Sequence, residues 1–157
     1  MAYTITTHLI GSQPIGVTET TQQWPLGKIV TAKDPVYGEG EFIYLKGVAS
    51  TAVGDVVVID QGTTARAVAG SRGPVAVAMS ANVANQYGWY QISGQAVVNV
   101  GAAVADNALV FATSTAGLVD DAVVTGDKID GAVFRTSASG AGTAVAVLDR
   151  PAMNGNG

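Results

Sequence analysis

Hydrophobic stretches in this chain are short, rich in β-branched residues and separated by small-residue turns, and three of them open alike. Val53-Gly54-Asp55-Val56-Val57-Val58-Ile59, Val104-Ala105-Asp106-Asn107-Ala108-Leu109-Val110-Phe111 and Thr125-Gly126-Asp127-Lys128-Ile129 each set an acid in a tight turn and then run into apolar residues. Glycine supplies the unusual backbone angles of such a turn, aspartate bonds back to nearby amides, and the β-branched run suits a pleated strand. The cadence predicts strands at Glu41 to Val48, Asp55 to Ile59, Ala65 to Val68, Val75 to Met79, Gly88 to Ile92, Gln95 to Val100, Ala108 to Ala112, Ala132 to Thr136 and Thr143 to Leu148. Little room is left for helix. Ser80 to Gln86 is the one helical candidate, and Asn82, Asn85 and the following Gly88 make a loop at least as good a reading. The predicted fold is all-β, a small β-barrel or β-sandwich with an extended N-terminal arm. The turns recur at unequal intervals, which excludes a solenoid of stacked identical units.

Residues 1 to 40 differ from the rest. They hold three of the five prolines (Pro14, Pro25, Pro35) and apolar residues spaced singly, among them Ile5, Leu9, Ile15, Trp24 and Leu26. That spacing suits an arm lying across a partner, and Trp24, held extended by Pro25, is its candidate anchor. The competing reading has Trp24 covering this chain's own core. The expected organisation is therefore an arm over 1–40, a β-rich body over 41–150 and a short flexible tail over 151–157.

Composition adds two constraints. At 157 residues the chain suffices for one domain that buries about 70% of the surface its unfolded form would expose. Nearly half of the residues (48%) are apolar and only 13% charged, so the apolar content is largely alanine and valine. A monomer this poor in charge has difficulty covering itself, which implies a subunit interface. Twelve acids against eight bases, with no basic run, argue against nucleic-acid binding. The N-terminal residues lack the basic start and apolar stretch of a secretion signal, and no window approaches 18 uninterrupted apolar residues. We therefore expect a soluble, intracellularly made protein with no membrane partner.

Candidate chemistry is sparse. Cysteine is absent, which removes disulfides and thiolate chemistry. His8 is the only histidine and lies in the arm, and no serine stands in the Gly-x-Ser-x-Gly context of an esterase nucleophile. Asp120, Asp121, Asp127 and Asp130 form the densest acidic group, but their spacing fits no calcium-binding loop, and Val119, Val123 and Val124 interleave with them as in strand-end turns. Gly38/Gly40 and Gly140/Gly142 lack the lysine and the helix context of a phosphate loop and read as hairpin turns. No catalytic residue, cofactor site or metal site is expected. Tyr87, Trp89 and Tyr90 gather three of the ten aromatic residues within four positions. They form either a stacking platform for a sugar or, since Trp89 and Tyr90 point to opposite faces of a strand, one core residue and one outer or intersubunit residue.

The segment Gln86-Tyr87-Gly88-Trp89-Tyr90-Gln91-Ile92-Ser93-Gly94-Gln95-Ala96, followed by Val100-Gly101-Ala102-Ala103-Val104-Ala105-Asp106-Asn107-Ala108-Leu109-Val110, resembles the head decoration (cement) proteins of tailed bacteriophages. So does the end of the chain, where Thr125-Gly126-Asp127 precedes Ile129-Asp130-Gly131-Ala132-Val133 and the final strand Thr143-Ala144-Val145-Ala146-Val147-Leu148. The likeness covers roughly Val48 to Leu148. It implies a non-enzymatic, β-rich homotrimer on the outer surface of a phage head, made in the host cytoplasm and clamping adjacent copies of the major capsid protein. On that reading Ile5, Leu9, Ile15, Trp24 and Leu26 are the expected capsid or intersubunit contacts. The alternative is a carbohydrate-binding β-module on a virion or cell surface that uses Tyr87, Trp89 and Tyr90.

Overall fold

The computed structural model describes residues 2–7, 14–82 and 84–155. Leu9, one of the expected contact residues, and His8 lie outside them. Among the described residues the chain is all-β, with no helix. Its strands are β1 (Thr4–Ile5), β2 (Ile29–Asp34), β3 (Gly38–Lys46), β4 (Val56–Asp60), β5 (Thr63–Arg66), β6 (Gly73–Ala78), β7 (Tyr87–Val100), β8 (Leu109–Ala112), β9 (Val119–Asp120), β10 (Lys128–Phe134) and β11 (Gly142–Met153). They join one sheet in the order β1-β2-β3-β5-β4-β6-β11-β10-β8-β9-β7, and further pairings of β7 with β3, β6 and β11 make it ring-like without closing it into a barrel.

Turn chemistry explains where the strands start. The N–H of Lys28, Asp55, Ser71, Ala108, Leu118 and Asp127 each donates to the carbonyl three residues earlier, and a strand begins one or two residues later. In five of these turns a glycine with φ between 84° and 88° precedes the donor, and in the sixth Asn107 does so at 61°. A positive φ at the third position defines a type II turn, which glycine and asparagine accept with least strain. The three acid-bearing turns of the sequence are therefore half of a set of six.

Strand β7 ties the molecule together. Its first half pairs with β3, from Tyr87 opposite Lys46 to Ser93 opposite Glu41, and its second half pairs with β11, from Ser93 opposite Asp149 to Val100 opposite Gly142. Ser93-Gly94 looks in the sequence like a turn between two strands; instead the strand runs through it as a bulge. Gly94 has φ +90°, and a Cβ there would lie 2.5 Å from the Glu39 carbonyl oxygen. The buried Gln91 staples the bulge by donating its side-chain amide to the carbonyls of Ser93 (3.0 Å) and Gln95 (2.9 Å).

Three apolar clusters result from strand alternation. The largest lies inside the ring and is mostly valine and alanine with Phe134, Ile129, Leu148 and Met153. A second gathers Ile15, Val30, Ala32, Phe42, Tyr44, Met79 and Trp89 on one side of β3 and β7. A third, with Leu45, Val57, Ala76, Ala78, Tyr90 and Ile92, separates β3 and β7 from the outward face of β4 and β6. Val56 and Val58 thus serve one core while Val57 serves another, and this explains the uninterrupted run Val56-Val57-Val58: the strand is buried on both faces.

Two boundaries differ from expectation, and one open reading is resolved. Residues 29–34 enter the sheet as β2, paired with β3, so the boundary at residue 40 falls within a hairpin. The residues 151–153 assigned to a flexible tail instead complete β11, with Ala152 opposite both Pro74 and Asp130 and with Pro151 and Met153 buried. Proline is tolerated there because Arg150, at φ +43°, puts an irregularity in the strand just before it. Residues 80–86, the helical candidate, form a loop where described, with Asn82 bridged to Thr51 and Asn85 at φ +63°.

Replacing Gly94 by alanine adds both a strained backbone and a clash with Glu39, and we expect a loss of about 3 kcal/mol in denaturant unfolding. A loss under about 1 kcal/mol would show that β7 does not depend on the bulge.

Candidate functional site

Several carboxylates in this protein are occupied by the fold. Asp55 is 1% exposed; its Oδ2 accepts from Arg66 Nε (2.9 Å) and the Ala52 N–H (3.0 Å), and its Oδ1 accepts from Asn99 Nδ2 (2.8 Å). One side chain thereby links the turn before β4 to β5 and β7. The turn before β9 closes over it, since a Cβ on Gly117 would stand 2.7 Å from Asp55 Cγ. The sequence pointed to the bond with a neighbouring amide but not to Arg66 or Asn99, which are remote along the chain.

The acidic group near residue 120 disperses in the same manner. Asp120 accepts from the Ala122 N–H (3.0 Å), Asp121 from that of Ala105 (2.8 Å) and Asp127 from that of Gly70 (2.7 Å), while Asp130 pairs with Lys128 at 3.1 Å. Among the described residues no three acids or histidines converge in a way that could hold a metal ion.

The aromatic cluster does not form a stacking platform. Trp89 and Tyr90 point to opposite faces of β7, as strand geometry requires, but both are fully buried, because each face of β7 is covered there by a different cluster. Trp89 packs at 5.1 Å from Tyr44, and the half-buried Tyr87 stacks against the same ring at 6.2 Å and 14°. Tyr90 is a core residue whose hydroxyl accepts from Asn82 Nδ2 at 2.9 Å. Burial raises its pKa above the ordinary value of 10. The expectation that one of the pair faces outward is corrected.

The expected contact residues that the structure describes also turn inward. Ile15 is 2% exposed in the second cluster, and Ile5, Trp24 and Leu26 are half-buried against it. Singly spaced apolar residues suit this arrangement because residues 14–28 cross an aromatic floor of Tyr44, Tyr87 and Trp89, touching it at intervals and bridging to Tyr87 through Glu19. Trp24 therefore belongs with the core.

Asp34 holds β1 in place. It is buried, its Oδ2 accepts from the Ala2 N–H at 2.6 Å, and its Oδ1 accepts from those of Val36 (2.7 Å) and Tyr37 (2.9 Å). Desolvation alone would raise its pKa, but the three amides outweigh it and hold the carboxyl below its ordinary 3.8. Tyr3, next in the chain, packs edge-on against Phe42 at 4.8 Å and donates to the Gln95 carbonyl at 2.9 Å, with burial pushing its pKa up to about 12.

Open apolar surface remains at two places. A groove of about 180 Å³ is lined by Ile29, Ile43, Ile59, Pro74, Ile92 and Pro151, with Arg150 at its rim paired to Glu41 at 3.0 Å. Ile29 is 38% exposed there. A larger cavity of about 470 Å³ lies beside Tyr3, Ile15, Val17, Val53 and Met79. Among the described residues, neither brings acids, bases or hydroxyls together. The groove went unnoticed in the sequence because its residues come from six separate segments.

No protein-family model matches this chain, and no curated protein or solved structure matches it.

Two measurements follow from these placements. Trp24→Ala should lower the stability of the free protein by about 2 kcal/mol, less than full burial of a tryptophan would give; an unchanged melting temperature would return Trp24 to the surface. Asp34 has a folded pKa below its unfolded one, so its contribution is fully present above pH 3.8 and is lost as the pH falls through the folded value. Asp34→Asn should therefore flatten the acid limb of the stability curve and leave its slope above neutral pH unchanged.

Proposed function

We propose that this is a non-enzymatic structural protein that decorates the outer surface of a phage head as a homotrimer and stabilises contacts between major capsid subunits. The observation that carries the reading is the apolar groove of Ile29, Ile43, Ile59 and Ile92. It spans β2, β3, β4 and β7, offers a protein segment aliphatic surface, and presents no group that would act on a substrate. The resemblance of Gln86 to Val110 and Thr125 to Leu148 to phage decoration proteins supports the same reading. Many such contacts, each weak, reinforce a shell through their number.

Shell contact is assigned to this groove in place of Ile5, Ile15, Trp24 and Leu26, whose apolar surface is largely spent on the second core. The carbohydrate-binding alternative loses its platform, because two of its three aromatic residues have no exposed face.

The test is co-sedimentation of purified protein with undecorated phage shells. Wild type should sediment at a fixed ratio to capsid subunits, and Ile29→Glu should weaken binding roughly tenfold, or about 1.4 kcal/mol, while keeping the circular dichroism of the wild type. Absence of wild-type co-sedimentation, or specific glycan binding in its place, would overturn the proposal.

A further inference from the structure

A sheet with one face on a core ordinarily carries polar residues on the other. Strands β7, β11, β10 and β8 do so only in part: Gln95, Asn99 and Thr143 are polar, but an aliphatic patch lies among them. Their inward residues, including Ala96, Val98, Ala144, Ala146, Ala132 and Phe134, fill the large core. Their outward residues include Val97, Val145, Val147, Val133 and Leu109, none of which belongs to any of the three clusters. The register makes these five contiguous: Val145 lies opposite Val97, Val147 opposite Val133, and Val133 opposite Leu109. Leu109 is 46% exposed and the four valines are partly so.

Charges stand at the margins of this face. Arg135, whose N–H donates to the Val145 carbonyl, flanks one end on the β10 side, and Asp149, two residues beyond Val147, flanks the other on β11. Both are exposed.

We propose that this face packs against a second copy of the chain, with the Arg135 end of one copy meeting the Asp149 end of the next. The charge pattern selects that occupant. A face with an aliphatic centre and opposite charges at its two ends can close head to tail around a three-fold axis, the Arg135 end of each copy meeting the Asp149 end of the next. A nucleic acid or an anionic membrane would instead favour a cationic surface. The proposal identifies the surface for the self-association named above and rests on that part of the reading; it is independent of the shell.

Light scattering on the full-length protein tests it. Wild type should be an oligomer, and Val147→Glu should reduce it to monomers without changing the circular dichroism. Arg135→Asp and Asp149→Arg should each weaken assembly at least tenfold, and the two together should restore most of it. These charge variants lie at exposed positions and decide the matter if Val147→Glu fails to fold. A monomeric wild type overturns both this surface and the proposed self-association. An oligomer that survives Val147→Glu and the single charge variants overturns this surface alone, and shell binding by wild type remains a separate result.

Discussion

Everything in this fold depends on β7 continuing through Ser93-Gly94. Two half-sheets, one built on β3 and the other on β11, share that strand, and they share it only because the chain can take a positive φ at Gly94 while the Glu39 carbonyl presses to within 2.5 Å of where a side chain would begin. Gly40 makes the approach possible from the other side, since a Cβ there would lie 2.7 Å from the Ser93 carbonyl oxygen. With two glycines facing each other and Gln91 bridging the displaced carbonyls, the bulge becomes a joint at which β7 passes from between the second and third cores to the wall of the large one. The aromatic residues collect before the joint and the small aliphatic ones after it.

The local part of this architecture was legible and the non-local part was not. Type II turns are written in adjacent residues, so Gly54-Asp55 and Asp106-Asn107 announced their strands directly. The bulge at Gly94 was read as a break because glycine serves turns and bulges alike, and only the partner strands distinguish them. β2 was missed for a related reason: Ile29 to Asp34 alternates properly, but the alternation buries a carboxylate at its end, and Asp34 makes sense there only once Ala2, Val36 and Tyr37 are seen to donate to it. At Pro151 a local rule, that proline ends a strand, yielded to the irregularity at Arg150.

Function was the less legible layer. The aromatic run Tyr87 to Tyr90 attracted a ligand reading because three large rings in four residues are costly to expose, yet burial on both faces of one strand consumes them without any ligand. The arm residues followed the same course, with Ile15 and Trp24 seated on aromatic neighbours drawn from β3 and β7. The surfaces that remain available are built from positions which look unremarkable in sequence: isoleucines from different strands around the groove, and outward valines that share strands with inward ones. Composition had signalled that such surfaces must exist, since so few charges cannot cover so much apolar chain, but placing them required strand register.

The long reach of β11 has a temporal consequence. Its residues close against β6, β7 and β10 together, and Met153 sits in the large core opposite Gly73. Contacts that distant in sequence form late, because loop-closure entropy must be overcome before the packing rewards it. Until residues 142–153 are available to the rest of the chain, β6 and the second half of β7 wait with unpaired edges and an open valine-lined interior. The protein thus completes its main core only when residues 142–153 dock, and not progressively as the preceding strands form.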